Sequence, residues 1–189
     1  MNNKIIIHID GVQGSGKSYI CSKLKNIICI DTDDIMEQTK KKVCLILQKK
    51  KFPSKINKKT LKIIQQEENK IIQDIIRNNN IIVFAGMTVN IPNPTYKFFI
   101  KINNFTSVYK RLMIRELEKI VKNYKNIKKY IKNTKPVDMN VFNISQQSIL
   151  FPSKYESFIE DYKERLKEAK LHKYIPKTQE EIINFINKL

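Results

Sequence analysis

The stretch Ile9–Tyr19, IDGVQGSGKSY, constrains this chain more than any other. The sequence holds only four glycines, and three of them, Gly11, Gly14 and Gly16, fall here. Together with Lys17 and Ser18 they fit G-x-x-x-x-G-K-[ST] without a mismatch. The motif follows KIIIHID, a short β-branched run bounded by Gly11 that reads as a buried strand. Ile20 and Leu24 then recur at helical spacing, so a helix over Ser18–Asn26 is predicted. A strand, a glycine turn and a helix in that order make a phosphate cradle. Glycines let the main chain curl with its N–H groups facing one concavity, and the helix that follows adds unpaired donors at its positive end. Lys17 brings a point charge for the outer phosphates and Ser18 a hydroxyl suited to Mg²⁺. The stretch is therefore read as a nucleotide-binding loop.

The rest of the chain alternates. Ile27–Ile30 reads as a second buried strand ending at Asp31, and a helix is expected from Asp34 to about Lys50. Leu61, Ile64, Ile71, Ile72 and Ile75 keep helical spacing from Asn57 to about Asn78. Ile81–Gly86 and Tyr96–Ile102 read as the third and fourth strands. From Phe105 onward Val108, Leu112, Ile120, Tyr124, Ile127 and Ile131 share one side, with lysines on the other. Pro152 suits the first turn of a further helix carrying Tyr155, Phe158, Ile159, Tyr162 and Leu166 inward. LHKYI before Pro176 is expected as a fifth strand, and Thr178 with Glu181 as a capping box for the last helix. Strands alternating with helices imply an α/β fold with a parallel sheet covered on both faces. Ligands of such sheets bind beyond the carboxyl ends of the strands, which places Asp10, Asp31 and Gly86 at one rim. With 189 residues, no internal repeat and no dividing linker, one domain over 1–189 is expected.

Composition bounds the partners. No apolar run reaches the roughly eighteen residues of a membrane span, and the N-terminal apolar run is too short for a signal peptide. Cys21, Cys29 and Cys44 lack C-x-x-C spacing, and His8 and His172 stand far apart, so neither a disulfide framework nor a zinc site is expected. A soluble, cytoplasmic setting follows from these readings. The net charge of +18 suits a polyanionic partner. Yet only Arg77, Arg111, Arg115 and Arg165 among the 36 basic residues are arginine, in a chain also rich in Ile and Asn. Lys, Ile and Asn share A/T-heavy codons, so much of the charge is attributed to nucleotide bias rather than to nucleic-acid contact.

Two further acids give the loop a chemistry. In ICIDTDDIMEQ, Asp31 ends a strand at the rim of the loop, and residues two apart in extended chain point the same way. Asp31 and Asp33 are therefore expected to converge on the loop, one toward Mg²⁺ and the other toward an attacking hydroxyl. Asp34, with Glu37 three residues on, is assigned mainly to capping the next helix. No guanine-selective N-K-x-D occurs, which weakens a small-GTPase reading. IIVFAGMT ends in no acidic pair, which weakens an ATP-driven motor.

GVQGSGKSYI followed by IDTDDIMEQ resembles the small P-loop kinases, especially the shikimate and gluconate kinase group, in which a GSGKS loop precedes D-x-D at the second strand's end. IDGVQGSGKS is also similar to nucleoside monophosphate kinases of the cytidylate kinase type, although those continue to D-T-G. DTDD is similar to polynucleotide kinases, which carry an arginine where Met36 and Glu37 stand here. The resemblance implies a three-layer P-loop kinase sandwich of five parallel strands with a helical lid over about 105–150. It implies ATP held by Gly11, Gly14, Ser15, Gly16, Lys17, Ser18 and Tyr19, and Mg²⁺ held by Ser18 and Asp31. By the same resemblance Asp33 would serve the acceptor hydroxyl, Arg111 the adenine and Arg115 the transferring phosphate. For Arg111 and Arg115, one helical turn apart, a solvated helix face paired with Glu118 stands as the alternative. A single glycine at Gly86, and no arginine between Asp31 and Arg77, argue against shikimate itself.

The sequence thus predicts a Mg-ATP-dependent kinase acting on a small molecule or nucleotide. The alternatives are a polynucleotide 5′-hydroxyl kinase and an ATP-binding regulatory protein without transfer activity. His8 is expected to pack in the sheet and the cysteines to be ordinary buried residues.

Overall fold

Hydrophobic alternation along β1 (Ile5–Asp10) sorts its side chains onto two faces, and the rest of the fold follows from that division. The computed structural model describes residues 4–86, 89–120 and 155–189. After β1 come α1 (Lys17–Lys23), β2 (Ile28–Asp31), α2 (Thr32–Ile46), α3 (Lys58–Arg77), β3 (Ile81–Ala85) and β4 (Tyr96–Ile100). Then follow α4 (Phe105–Ile120), α5 (Tyr155–Leu171), β5 (Ile175–Lys177) and α6 (Gln179–Ile186). The five strands form one parallel sheet in the order β2-β3-β1-β4-β5. The expected three-layer α/β architecture is thus present. Of the expected lid, α4 covers the first part; positions 121–150, with Tyr124, Ile127 and Ile131, and the helix start at Pro152 lie outside the described residues.

One face of the sheet is closed by Ile20 of α1 and by Ile182 and Ile186 of α6, packed on Ile7, Ile9, Val83, Phe98 and Ile100. The other face carries two clusters. Ile35 of α2 and Ile71 and Ile72 of α3 pack on Ile82 and Phe84 of β3. Val108, Leu112 and Met113 of α4 and Phe158, Tyr162 and Ala169 of α5 pack on Phe99 of β4. Each fully buried isoleucine contributes about 1.5–3 kcal/mol relative to exposure. His8 and Asp10 emerge on this second face, in the seam between its two clusters, because they alternate with Ile7 and Ile9.

Local chemistry sets the helix ends. Asn57 Oδ1 accepts from Thr60 N–H at 2.8 Å and opens α3, while Thr178 and Glu181 form the expected capping box of α6. Several ends differ from expectation by one to four residues, among them α1, which stops at Lys23, and α2, which stops at Ile46; two differences bear on the site. Helix α2 starts at Thr32, and its cap is Asp31, whose carboxylate accepts from Asp33 N–H at 3.0 Å; Asp34 lies in the first turn instead. The fifth strand is Ile175–Lys177 rather than LHKYI, because α5 runs on to Leu171 and Lys173 turns the chain at φ 62°. Pro176 lies inside this edge strand, where one side of the backbone needs no ladder donor.

The cysteine expectation is also corrected. Cys21 of α1 and Cys29 of β2 form a disulfide with Cα atoms 5.4 Å apart, leaving Cys44 as the free thiol. The two meet because α1 packs back over the strand that follows it, a proximity no spacing rule encodes. No helix among the described residues is long and apolar enough to cross a membrane.

Candidate active site

The glycine loop leaves β1 at Asp10, whose carboxylate accepts a hydrogen bond from the Gly11 N–H. Ser15 N–H closes a turn onto Val12 C=O at 3.2 Å, and Gly16 precedes α1 at φ 100°. A side chain at Gly16 would meet that backbone penalty and also the Gln179 amide, which donates to Ser15 C=O from the start of α6. The first-turn N–H groups of α1 have no intrahelical acceptor, so they remain available to an anion. Lys17 curls over the loop, its Nζ donating to Gly11 C=O at 2.6 Å and Val12 C=O at 3.2 Å. Burial pushes the Lys17 ammonium below its ordinary range, while Asp10, Asp31 and Asp33 pull in the opposite direction.

A cavity of about 640 Å³ opens beside this loop. Gly11, Gln13, Gly14, Gly16, Lys17 and Ser18 line one side, Asp31, Asp33 and Gly86 the second, and Arg111, Arg115 and Arg165 the third. The structure therefore brings together most of the residues singled out by the sequence. Asp31 and Asp33 do share this cavity, but through a helix cap rather than through the i, i+2 geometry of a strand. Arg111 and Arg115 lie one turn apart on α4 and both reach the cavity. Tyr19 falls outside the lining: it is 48% exposed on α1, with Lys23 Nζ 5.6 Å from its ring centroid. Ser15 also falls outside. It lines the smaller adjoining cavity, its buried hydroxyl has no hydrogen-bond partner among the described residues, and it fills the space where Gly11 lacks a Cβ.

Arg165 was not anticipated. It stands on α5 with its Nε donating to both Asp161 carboxylate oxygens at 2.9 and 3.1 Å. A compositional signal was present all the same. Three of the four arginines in this lysine-rich chain line one cavity. Arginine supplies a planar, permanently charged donor fork that lysine does not. Arg77, the fourth, pairs with Asp74 on α3.

Gly86 ends β3 at φ 140°, with its N–H on Ile9 C=O at 2.9 Å. The space its missing Cβ leaves is taken by the Thr32 hydroxyl, so the glycine brings β3 against the start of α2 rather than leaving room for a ligand there. Its carbonyl accepts from His8 Nε2 at 2.7 Å, and His8 Nδ1 lies 2.6 Å from the Tyr174 hydroxyl. A carbonyl only accepts, so Nε2 carries the proton and Nδ1 accepts from Tyr174. Burial pushes the His8 pKa down, which favours this neutral form.

A second cavity of about 250 Å³ adjoins the first through Arg111, which lines both. Asn104 and Ser107 of the β4–α4 turn and Thr178 and Gln179 before α6 form its polar rim.

The donor set suits Mg²⁺ only in part. The Ser18 hydroxyl and the Asp31 carboxylate are hard oxygen donors on one cavity. No group of three or more acidic, histidine or cysteine side chains among the described residues could hold an ion alone. That set fits a cation that brings waters and substrate phosphates with it, as Mg²⁺ does.

No family model matches the chain, and no curated protein matches it. Among solved structures it is similar to the shikimate kinase of Bacteroides thetaiotaomicron at 13% identity and TM-score 0.34, over 86% of this chain and 98% of that one. So loose a likeness says nothing about activity, and the reading below rests on the site itself.

Proposed function

We propose that the chain is a Mg-ATP-dependent phosphotransferase acting on a small molecule or nucleotide. The observation that carries this reading is the shared cavity: six residues of the phosphate-loop motif, two acids and three arginines line one volume. An ATP-binding protein without transfer needs the loop but not Asp33 or the arginines opposite.

In this reading the loop N–H groups and Lys17 hold the triphosphate, and Lys17 exchanges its loop carbonyls for phosphate oxygens. The base occupies the adjoining cavity against Arg111, between the turn before α4 and the turn before α6. Ser18 and Asp31 would hold Mg²⁺, which when bound would offset phosphate charge. Asp33 accepts the proton as the acceptor oxygen bonds to the terminal phosphorus and the bond to the bridging oxygen breaks, releasing ADP. Arg115 and Arg165 face the group in transfer and offset the charge that develops on it.

The direct test is calorimetry with Mg-ATP, followed by ADP release across nucleosides, nucleotides, sugars and 5′-hydroxyl oligonucleotides. Binding of ATP with acceptor-dependent ADP release is expected. ATP binding without any acceptor-dependent turnover would favour the regulatory alternative. Turnover confined to oligonucleotides, with steep salt dependence, would favour the polynucleotide kinase.

A further inference from the structure

A third cavity, of about 400 Å³, opens on the sheet beside the phosphate cavity. Its origin is topological. Strands β3 and β4 both pair with β1, one on each side, so the chain must cross β1 between them. Parallel crossovers usually take a dozen or more residues and a helix. Here residues 86–95 make the crossing, with no helix among those described. Thr95 returns the chain to β1, its N–H on Ile6 C=O at 2.7 Å and its hydroxyl accepting from Ile6 N–H at 3.1 Å. The second face of β1 is therefore covered by a loop on one side and α5 on the other, with a cavity between them.

We infer that this cavity is the acceptor site, and that its lining selects a neutral, hydroxyl-bearing molecule of nucleoside or monosaccharide size. The inference rests on the phosphotransferase reading and deepens it. Arg165 lines both this cavity and the phosphate cavity, so a molecule seated here extends its reacting hydroxyl past Arg165 into the volume that Asp33 lines. Asp10, which also lines it, is the residue from which the glycine loop departs. The volume falls within the usual range of small-ligand sites, about 300–1,000 Å³.

The lining is charge-balanced. Asp10 and Lys97 line it from the sheet, and Arg165 and Glu168 from α5, one charge of each sign on either side. The His8–Tyr174 pair adds a neutral floor, with both imidazole nitrogens already committed. Lys97 is turned over the Tyr174 ring, 5.6 Å from its centroid. Val89, Ile91 and Pro94 supply an apolar wall for the face of a ring. A phosphate monoester would bring about two negative charges against two carboxylates, leaving two cations to share among about four negative charges. A polyol instead donates to Asp10 and Glu168 and accepts from Lys97 and Arg165, satisfying both signs.

The test uses the full chain with Mg-ATP and a small probe set: uridine, adenosine, ribose and glucose as neutral probes, UMP and AMP as anionic ones. ADP release is expected with at least one neutral probe and with neither monophosphate. Asn90 and Glu168 are exposed positions on the wall, so their substitution spares the fold. Glu168→Gln and Asn90→Leu should each raise the KM for the neutral probe at least fivefold and leave the calorimetric Kd for ATP within twofold. Turnover of the monophosphates in place of neutral probes would overturn the assignment, as would a KM that neither variant moves or ATP binding with no neutral probe accepted. Ligand-observed NMR without nucleotide separates the two readings. A neutral probe that binds the wild type and is released by Glu168→Gln sustains the cavity as a polyol site even if ATP gives no heat, which would overturn only the phosphotransferase reading.

Discussion

The Asp31 carboxylate accepts a hydrogen bond from the Asp33 main-chain N–H at 3.0 Å, so the residue that ends β2 also begins α2. One side chain thus serves two purposes, and its variants should separate them. Asp31→Ala removes the cap and should cost about 1 kcal/mol of stability, whereas Asp31→Asn, a comparable cap, should keep most of it. Both should raise the Mg²⁺ concentration needed for turnover. Thermal denaturation beside an Mg²⁺ titration reads the two effects; a loss of stability in Asn equal to that in Ala would refute the capping role.

Asp33 lines the cavity without being the cap residue. Asp33→Asn is expected to leave ATP affinity nearly unchanged and to slow transfer about 10²–10⁴-fold, the range associated with a lost general base. Parallel loss of binding and turnover would count against it.

Arg165 reaches the site from α5, where Asp161 holds its guanidinium. Arg165→Lys keeps a charge but loses the planar fork, so transfer should still fall, by about 10²-fold, with a smaller change in ATP affinity. Full activity in the lysine variant would show that the position contributes charge alone.

His8 gives the fold a pH dependence. Its ordinary value is 6.5, and burial, the largest cause, lowers it; the Gly86 carbonyl and Asp10 act upward and Lys97 downward. A group whose folded pKa is depressed binds protons more readily when unfolded. Its contribution is complete above pH 6.5 and declines as pH falls toward the folded value, at up to about 1.4 kcal/mol per pH unit. Asp10, pushed up by burial, has the opposite sign and acts at lower pH, in the carboxylate range. His8→Gln keeps a donor for Gly86 and an acceptor for Tyr174 but cannot titrate. Denaturant unfolding at pH 7.5, 6.5 and 5.5 should show a flatter profile in the variant; identical slopes would rule His8 out.

The Cys21–Cys29 disulfide spans eight residues in sequence. Closing so short a loop restricts the unfolded chain by about 2.5 kcal/mol in the chain-entropy account. Cys21→Ser, or reduction of the wild type, should lower the melting temperature by several degrees, and the reductant should add nothing to the variant. An unchanged melting temperature would mean that α1 is held to β2 by packing alone.

Much of this architecture is written locally. The glycines, Lys17 and Ser18 specify the phosphate turn because backbone conformation and donor direction are decided within a few residues. The apolar spacing of Ile64, Ile71 and Ile72 specifies α3 for the same reason, and Thr178 with Glu181 fixes where α6 begins. Arg111 and Arg115 were legible as a pair because helical spacing alone puts them on one face.

What tertiary structure decided is where distant segments meet. Sequence spacing favoured Asp34 as the cap, whereas in the fold Thr32 packs against Gly86 and α2 starts earlier, with Asp31 as its cap. The end of α5 set the register of β5 and moved the strand past Tyr174. Cys21 meets Cys29, Arg165 meets Lys17's cavity, and the short passage from β3 to β4 leaves open the space above His8 and Asp10. Such encounters depend on the order of strands in the sheet and on the length of a crossover, and neither quantity is carried by the spacing of residues along the chain.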